Sequence, residues 1–168
     1  MKQTHDIEPW TVVTCKFDPE DTRPQESMTS LGNGNMGLRG FFEEDYSGDT
    51  LPGIYLGGVW FPDKTRVGWW KNGYPAYFGK VINAVNFIKV NAVINGERLD
   101  LAKDQVSDFK LDLDMQHALL TRTFTVTKGA SKLAFTFERF VSAAQKELAV
   151  IRVSVKNVGD QAVKLELN

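Results

Sequence analysis

Cysteine is almost missing from this sequence: among 168 residues, Cys15 is the only one. A single thiol excludes a disulfide framework within the chain and any metal cluster built on cysteines. The only two histidines, His5 and His117, have no partners at metal-ligand spacing, so the sequence predicts no metal site. Cys15 follows a β-prone stretch, and we interpret it as a small buried residue rather than a nucleophile.

The chain also lacks an excess of charge and lacks long apolar runs. It has 20 Lys and Arg against 21 Asp and Glu, for a net charge of -1. A chain with this charge balance lacks the excess of basic residues that is typical of a nucleic-acid-binding protein. No stretch reaches the length of a signal peptide core or a membrane span. We therefore expect a cytoplasmic protein with neither nucleic acid nor membrane as a partner.

Alternating apolar and polar residues dominate the second half of the sequence, whereas most glycines and all six prolines precede residue 80. This alternation is typical of half-buried strands. The apolar members of the alternation are Phe109, Leu111, Leu113, Met115, Leu120, Phe124, Val126, Leu133, Phe135, Phe137, Ile151, Val153, Val155, Val163, Leu165 and Leu167. The pair Asn95-Gly96 between two short apolar runs predicts a hairpin. The pattern therefore predicts an all-β antiparallel sandwich with no long helix and at most one helical turn, over 142–147.

Two motifs resemble functional sites, a dinucleotide-binding loop and an acid/base pair, but the residues around them do not support those functions. Residues 32–37 match the spacing of a dinucleotide-binding glycine loop, but no apolar strand precedes them and Gly40 interrupts the segment where a helix should begin. We interpret them as a tight turn with positive φ. Glu43, Glu44 and Asp45 form an acidic run, and adjacent strand residues point to opposite faces. We therefore expect them on the solvated surface and not as an acid/base pair.

The most unusual segment is 62–79, which combines five aromatic residues with Lys64, Arg66 and Lys71. Such mixtures are typical of protein interfaces and of surfaces on which sugars stack. Three roles remain open: a docking loop, a plug that closes one end of the sandwich, or direct contact with a ligand. The candidate docking or substrate-entrance residues are Arg66, Trp69, Trp70, Lys71, Asn72 and Tyr74.

Several segments together form a long and specific pattern: 26–28, 31–44, 52–59, 62–75, 80–84, 95–97, 99–101 and 138–142. Through them the sequence resembles, over nearly its whole length, the N-terminal region of family 65 glycoside hydrolases and phosphorylases. Segments 62–75 and 80–84 are most similar to the phosphorylases of maltose and, next, of trehalose. The sequence also departs from these relatives at Asn35, Ala76 and Gly79, which weakens any choice between maltose and other disaccharides.

The resemblance implies a β-supersandwich similar to sugar mutarotases, here truncated at its C-terminal end, over residues 1–168. A catalytic α/α barrel would lie outside this chain, together with every catalytic residue. The parent enzyme would cleave maltose with inorganic phosphate to glucose 1-phosphate and glucose, with inversion and without a cofactor. The implied partners are that barrel, a second subunit in a homodimer and the disaccharide. The alternative is a stand-alone carbohydrate-binding module that uses Trp69, Trp70 and Tyr74.

Overall fold

A computed structural model describes residues 6–65 and 75–168 of the chain. Apart from one short helix, the regular structure in these ranges is antiparallel β-structure, which confirms the fold-class prediction. The elements in chain order are β1 (Asp6–Glu8), β2 (Thr11–Thr14), α1 (Thr22–Met28), β3 (Leu31–Gly32), β4 (Met36–Leu38), β5 (Ile54–Leu56), β6 (Trp60–Lys64), β7 (Tyr77–Val81), β8 (Ala92–Ile94), β9 (Glu97–Arg98), β10 (Gln105–Asp114), β11 (Leu119–Lys128), β12 (Ser131–Val141), β13 (Ala149–Asn157) and β14 (Leu165–Leu167).

The main layer is a six-stranded sheet in the order β1-β2-β10-β11-β12-β13. Its four long strands are neighbours in sequence and in space, because short turns join consecutive antiparallel strands. Along β12 the burial alternates strictly: Leu133, Phe135 and Phe137 face inward, whereas Ala134 and Thr136 face outward. The predicted alternation therefore marks the inward-facing residues, with two exceptions: Met115 is exposed in the turn after β10, and Leu167 is exposed at the end of β14.

Two smaller sheets cover the inner face of the main sheet. They have the orders β3-β4-β5 and β14-β8-β9, and their apolar side chains join those of the long strands in one core. Residues 31–101 supply Leu31, Met36, Leu38, Phe41, Phe42, Ile54, Ile88, Ala92, Ile94, Leu99 and Leu101 to this core. The second layer of the sandwich is thus built mainly from residues 31–101, and β14 joins it from the C-terminal end of the chain.

The Asn95-Gly96 hairpin forms as predicted, between β8 and β9. Both residues have positive φ, 51° at Asn95 and 88° at Gly96. Such dihedrals match the twist of a two-residue hairpin turn. Asn95 also donates a hydrogen bond from its side chain to Ser131 Oγ, at 2.9 Å, and accepts one from the Lys164 amide, at 2.8 Å. The turn therefore connects both layers.

Replacing Gly96 by alanine should lower the free energy of unfolding by about 1 kcal/mol, because a Cβ strains the backbone at positive φ. No neighbouring atom lies near the added Cβ, so the loss is conformational rather than steric. Gly37→Ala is the matched control, since its Cβ would make only an ordinary contact at 4.0 Å. Urea denaturation measures the free energy of unfolding of both variants. An equal loss of this free energy in the two would contradict a specific need for glycine in the hairpin turn at residue 96.

The helix α1 is not anticipated by the sequence. Its seven residues lack an apolar stripe of useful length, and Pro24 lies within its first turn. Tertiary contacts stabilise it instead: the buried Glu26 accepts hydrogen bonds from Thr50 Oγ1, at 2.5 Å, and from the Leu51 amide, at 2.9 Å. The expected helical turn over 142–147 is wrong, because that segment is a non-helical connection between β12 and β13.

Candidate interaction surface

The six residues proposed from the sequence for docking, Arg66, Trp69, Trp70, Lys71, Asn72 and Tyr74, lie outside the described residues. The strands on either side of them, β6 and β7, pair with each other in a two-stranded sheet of their own. We call these two strands, Trp60–Lys64 and Tyr77–Val81, the arm. None of the arm residues belongs to the buried core of the described chain.

The arm exposes large apolar side chains. The exposed fractions are 57% for Trp60, 56% for Phe61, 61% for Tyr77 and 65% for Val81. An isolated two-stranded hairpin is marginally stable in water, and soluble monomers rarely expose large apolar patches. The described part of segment 62–79 therefore contributes no side chain to the buried core of the sandwich.

The base of the arm is fixed to the sandwich by backbone and amide hydrogen bonds. The Ala84 amide donates to the Ile54 carbonyl at 2.8 Å, and the Ile54 amide donates to Asn83 Oδ1 at 3.1 Å. On the other side, the Gly57 amide donates to the Asn35 carbonyl at 2.6 Å. The residues that flank the arm in sequence are thus hydrogen-bonded to the sandwich.

Side-chain contacts shape the two faces of the arm. The indole of Trp60 lies over Gly79, where an added Cβ would come within 3.3 Å of the ring. On the opposite face, Lys80 and Asp63 form an ion pair. Sequence reasoning emphasised 66–74 and missed Trp60, Phe61 and Val81. The adjacent aromatic pair before Pro62 was the signal that could have identified them.

A buried ionic cluster lies between the layers and overturns the surface prediction for Glu43 and Glu44. Both glutamates are buried, and so are Arg122 and Arg139. Arg122 binds both oxygens of Glu44, one of them at 2.6 Å, and reaches Glu43 at 2.8 Å. Arg139 binds the other oxygen of Glu43 at 2.8 Å. The prediction failed because residues 41–46 are not a strand, so adjacent side chains need not alternate.

The charges in this cluster balance each other. Burial raises the pKa of the Glu43 carboxyl, but the guanidinium groups of Arg139 and Arg122 outweigh burial and hold that pKa below its ordinary value. Arg122 also lies 4.2 Å from the centre of the Phe42 ring and 4.6 Å from that of Phe137. Since all four groups are buried in mutual ion pairs, the cluster holds the front segment against the sheet.

The glycine motif at 32–37 forms the predicted tight turn, but positive φ occurs at a glycine and not, as also expected, at Asn33 or Asn35. Gly34 has a φ of 84°, and the motif connects β3 to β4 rather than a strand to a helix. Asn33 accepts hydrogen bonds from the amides of Asn35 and Met36, and its side chain donates to the Ser142 carbonyl at 2.7 Å. Its role is to attach the small sheet to the end of β12.

Cys15 and His117 both lie on the surface of the described chain. Cys15 is exposed, just beyond β2, which corrects the expectation of a buried residue. His117 pairs with Asp114 at 2.6 Å in an exposed turn, and His5 lies outside the described residues. Among the described residues, no group of three or more His, Cys, Asp or Glu could hold a metal ion.

Within the same ranges, no helix has the length and apolar character needed to cross a membrane.

The fold of this chain also occurs in a solved structure. A putative kojibiose phosphorylase from the human microbiome superposes with a TM-score of 0.88 and 33% sequence identity, over 98% of this chain and 22% of that chain. In addition, the sequence of residues 12–168 matches the family model of the glycosyl hydrolase family 65 N-terminal domain. The chain therefore belongs to this family, which confirms the resemblance seen in the sequence.

Curated relatives of the chain include several disaccharide phosphorylases. Maltose phosphorylase of Bacillus subtilis is 48% identical over 158 residues, which are 94% of this chain and 21% of that protein. Kojibiose phosphorylase of Thermoanaerobacter brockii is 27% identical over 92% of this chain and 18% of that protein. The α,α-trehalose phosphorylase of the same organism is 26% identical over 94% of this chain and 21% of that protein. The chain thus spans about a fifth of the length of these relatives.

Proposed function

We propose that this chain is the N-terminal, non-catalytic sandwich of a cytoplasmic disaccharide phosphorylase that acts on maltose. The observation that carries the proposal is the 48% identity to a maltose phosphorylase over nearly the whole chain. Curated relatives named for kojibiose, nigerose or trehalose are 25–29% identical, and the solved putative kojibiose phosphorylase is 33% identical. The parent enzyme would convert maltose and inorganic phosphate to glucose and glucose 1-phosphate, with inversion and without a cofactor.

The chemistry of the acidic residues supports a non-catalytic role. An inverting enzyme needs a carboxylic acid that protonates the leaving oxygen, positioned across the bond from the attacking nucleophile. Glu43 and Glu44 are buried in ion pairs with arginines, and Glu26 is buried among hydrogen-bond donors. None of these three is placed to meet a sugar. The general acid and the phosphate-binding residues would belong to the α/α barrel of the full-length enzyme.

The role proposed for the sandwich itself is support and assembly. The arm, with its exposed apolar side chains, would contact other parts of the enzyme, either the barrel near the substrate entrance or a second subunit. The sandwich provides a rigid base for that contact because the ionic cluster joins its layers.

The test is a phosphorolysis assay on the full-length polypeptide and on the 168-residue chain in parallel. With maltose and phosphate, the full-length enzyme should release β-glucose 1-phosphate, the anomer that inversion produces, and the 168-residue chain should release none. Trehalose, kojibiose and nigerose are assayed as comparison substrates for maltose, and NMR of the anomeric proton identifies the glucose 1-phosphate anomer that is released.

Three results would contradict the proposal: faster turnover of another disaccharide, release of glucose without phosphate consumption, or activity of the short chain alone. Titration of maltose into the short chain adds a separate check. Tight binding there would instead favour the stand-alone carbohydrate-binding module.

A further inference from the structure

We propose that Asn95 is a site of spontaneous deamidation, and that the reaction releases the turn between β8 and β9 from the main sheet. The inference goes beyond the function proposed above and does not depend on it. Three observations carry it: the accessible amide of Gly96, the small number of hydrogen bonds that hold the Asn95 side chain, and a polar cavity beside that side chain.

The reaction needs only Asn95, Gly96 and water. The Gly96 amide nitrogen attacks Asn95 Cγ and forms a new N–C bond, while the Cγ–Nδ2 bond breaks and ammonia leaves with the amide hydrogen. Water then opens the succinimide ring. Cleavage of the bond between nitrogen and Cγ gives aspartate, whereas cleavage of the bond to the main-chain carbonyl carbon gives isoaspartate. Because the attack is intramolecular, its rate depends on how freely the two atoms can approach.

The attacking nitrogen is accessible in this hairpin. Ile94 pairs with Glu97 across the turn, so Asn95 and Gly96 form its two-residue loop, and both are exposed. Apart from the chain neighbours of Gly96, no described residue has an atom within 4 Å of the position that a Cβ on this glycine would take. The nitrogen of Gly96 is therefore shielded neither by a side chain of its own nor by the surrounding structure.

A second Asn-Gly pair, Asn33-Gly34, provides the comparison within the same chain. The half-buried Asn33 side chain accepts hydrogen bonds from the amides of Asn35, at 3.0 Å, and Met36, at 2.9 Å. It also donates to the carbonyls of Ser142, at 2.7 Å, and Lys146, at 3.0 Å. A third pair, at 72–73, lies outside the described residues and takes no part in the comparison.

Asn95 is held less firmly than Asn33. Within the described residues its side chain makes two hydrogen bonds, as donor to Ser131 Oγ at 2.9 Å and as acceptor from the Lys164 amide at 2.8 Å. Attack on Cγ requires the side chain to rotate out of such bonds in a local opening of the turn. Since the opening breaks two side-chain bonds at Asn95 and four at Asn33, the reaction should favour Asn95.

A polar cavity of about 260 Å³ lies at the surface beside Asn95, and Glu97, Lys128, Ser131 and Gln161 also line it. A water molecule occupies about 30 Å³ in the liquid, so several fit there. The cavity gives the Asn95 side chain room to leave its hydrogen bonds, and it brings the water that opens the succinimide. Ring formation therefore requires no rearrangement of the apolar core.

The products cannot keep the contacts of Asn95. Neither aspartate nor isoaspartate retains the amide Nδ2 that donates to Ser131, whose side chain is buried at the start of β12. Isoaspartate also lengthens the main chain of a turn whose pairing requires two residues. The reaction would therefore break the link between the small sheet and β12.

The first test measures the deamidation rate at both asparagines, in the native protein and in guanidinium chloride, at mildly alkaline pH. Mass spectrometry of tryptic peptides identifies the converted residue, and its rate in denaturant corrects for local sequence. Folding should slow the reaction more at Asn33 than at Asn95, by a factor of at least about ten, the effect of two additional hydrogen bonds. Equal or greater protection of Asn95, or no reaction there in the native protein, would overturn the inference.

The second test is Ser131→Ala, which removes the acceptor of the Asn95 amide. The rate at Asn95 should rise about three- to tenfold, the effect of one net hydrogen bond, while Asn33 in the same sample keeps its wild-type rate. Ser154→Ala, at an exposed position on β13, is the matched control and should change neither rate. An unchanged rate at Asn95 in Ser131→Ala, with circular dichroism showing a folded protein, would contradict the role of this bond. So would an equal increase at both asparagines in that folded variant.

The third test follows the consequence for the fold and does not depend on Ser131→Ala. On prolonged incubation the urea midpoint of the wild-type protein should fall in parallel with the conversion of Asn95. Asn95→Gly keeps a residue suited to positive φ in the turn but has no amide to lose, so its midpoint should remain constant over the same period. The inference fails if the two proteins lose stability at the same rate, or if conversion of Asn95 leaves the wild-type midpoint unchanged.

Discussion

Replacing Arg122 by methionine is expected to destabilise the fold by roughly 3–5 kcal/mol, because removing one partner of a buried ion pair leaves uncompensated charge in the interior. In this chain the carboxylate of Glu44 would lose both of its hydrogen bonds from Arg122, and Glu43 would keep only Arg139. Since small domains are stable by about 5–15 kcal/mol, the variant would be marginally folded at best.

Urea denaturation followed by tryptophan fluorescence measures this loss. The matched control is Arg152→Met, which breaks the Arg152–Glu138 pair on the outer face of the same sheet, where the arginine is exposed. That variant should unfold at nearly the wild-type urea concentration. If the two variants behaved alike, the buried cluster would not hold the layers together.

Replacing Phe137 by alanine should cost a similar amount, about 3–5 kcal/mol, through a cavity in the core. The ring is fully buried, and its centre lies 6.1 Å from that of Phe124 and 6.1 Å from that of Phe135. It also contacts the guanidinium of Arg122, so the cavity would weaken the packing of the ionic cluster.

Phe140→Ala on the same strand is the control for this variant. Phe140 points to the outer face and is partly exposed, so its removal leaves no enclosed cavity. We expect a much smaller shift of the unfolding midpoint. A comparable shift for both variants would mean that burial on β12 does not follow the alternation described above.

The arm and the ionic cluster are only partly predictable from the sequence. Segment 62–79 was recognised as unusual because its aromatic and basic composition is local information. The exposure of Tyr77 in the described part of this segment was not predictable, because a ring is buried or exposed according to what folds over it. Similarly, Arg122 and Arg139 at inward positions of apolar strands were a signal of buried ion pairs. Their partners, Glu43 and Glu44, could not be identified, since they lie between 78 and 96 residues away.

The sequence by itself determined the strands from β10 to β13, the Asn95-Gly96 hairpin and the family. These depend on alternation, turn residues and motifs, which are properties of neighbouring residues. Tertiary structure alone decided that residues 22–28 form a helix, that Glu43 and Glu44 are buried, and that Cys15 is exposed. The physical reason is the same in each case. The free energy of these states comes from contacts between distant segments, such as Glu26 with Thr50 or Asn33 with Ser142, and such contacts exist only once the layers have come together.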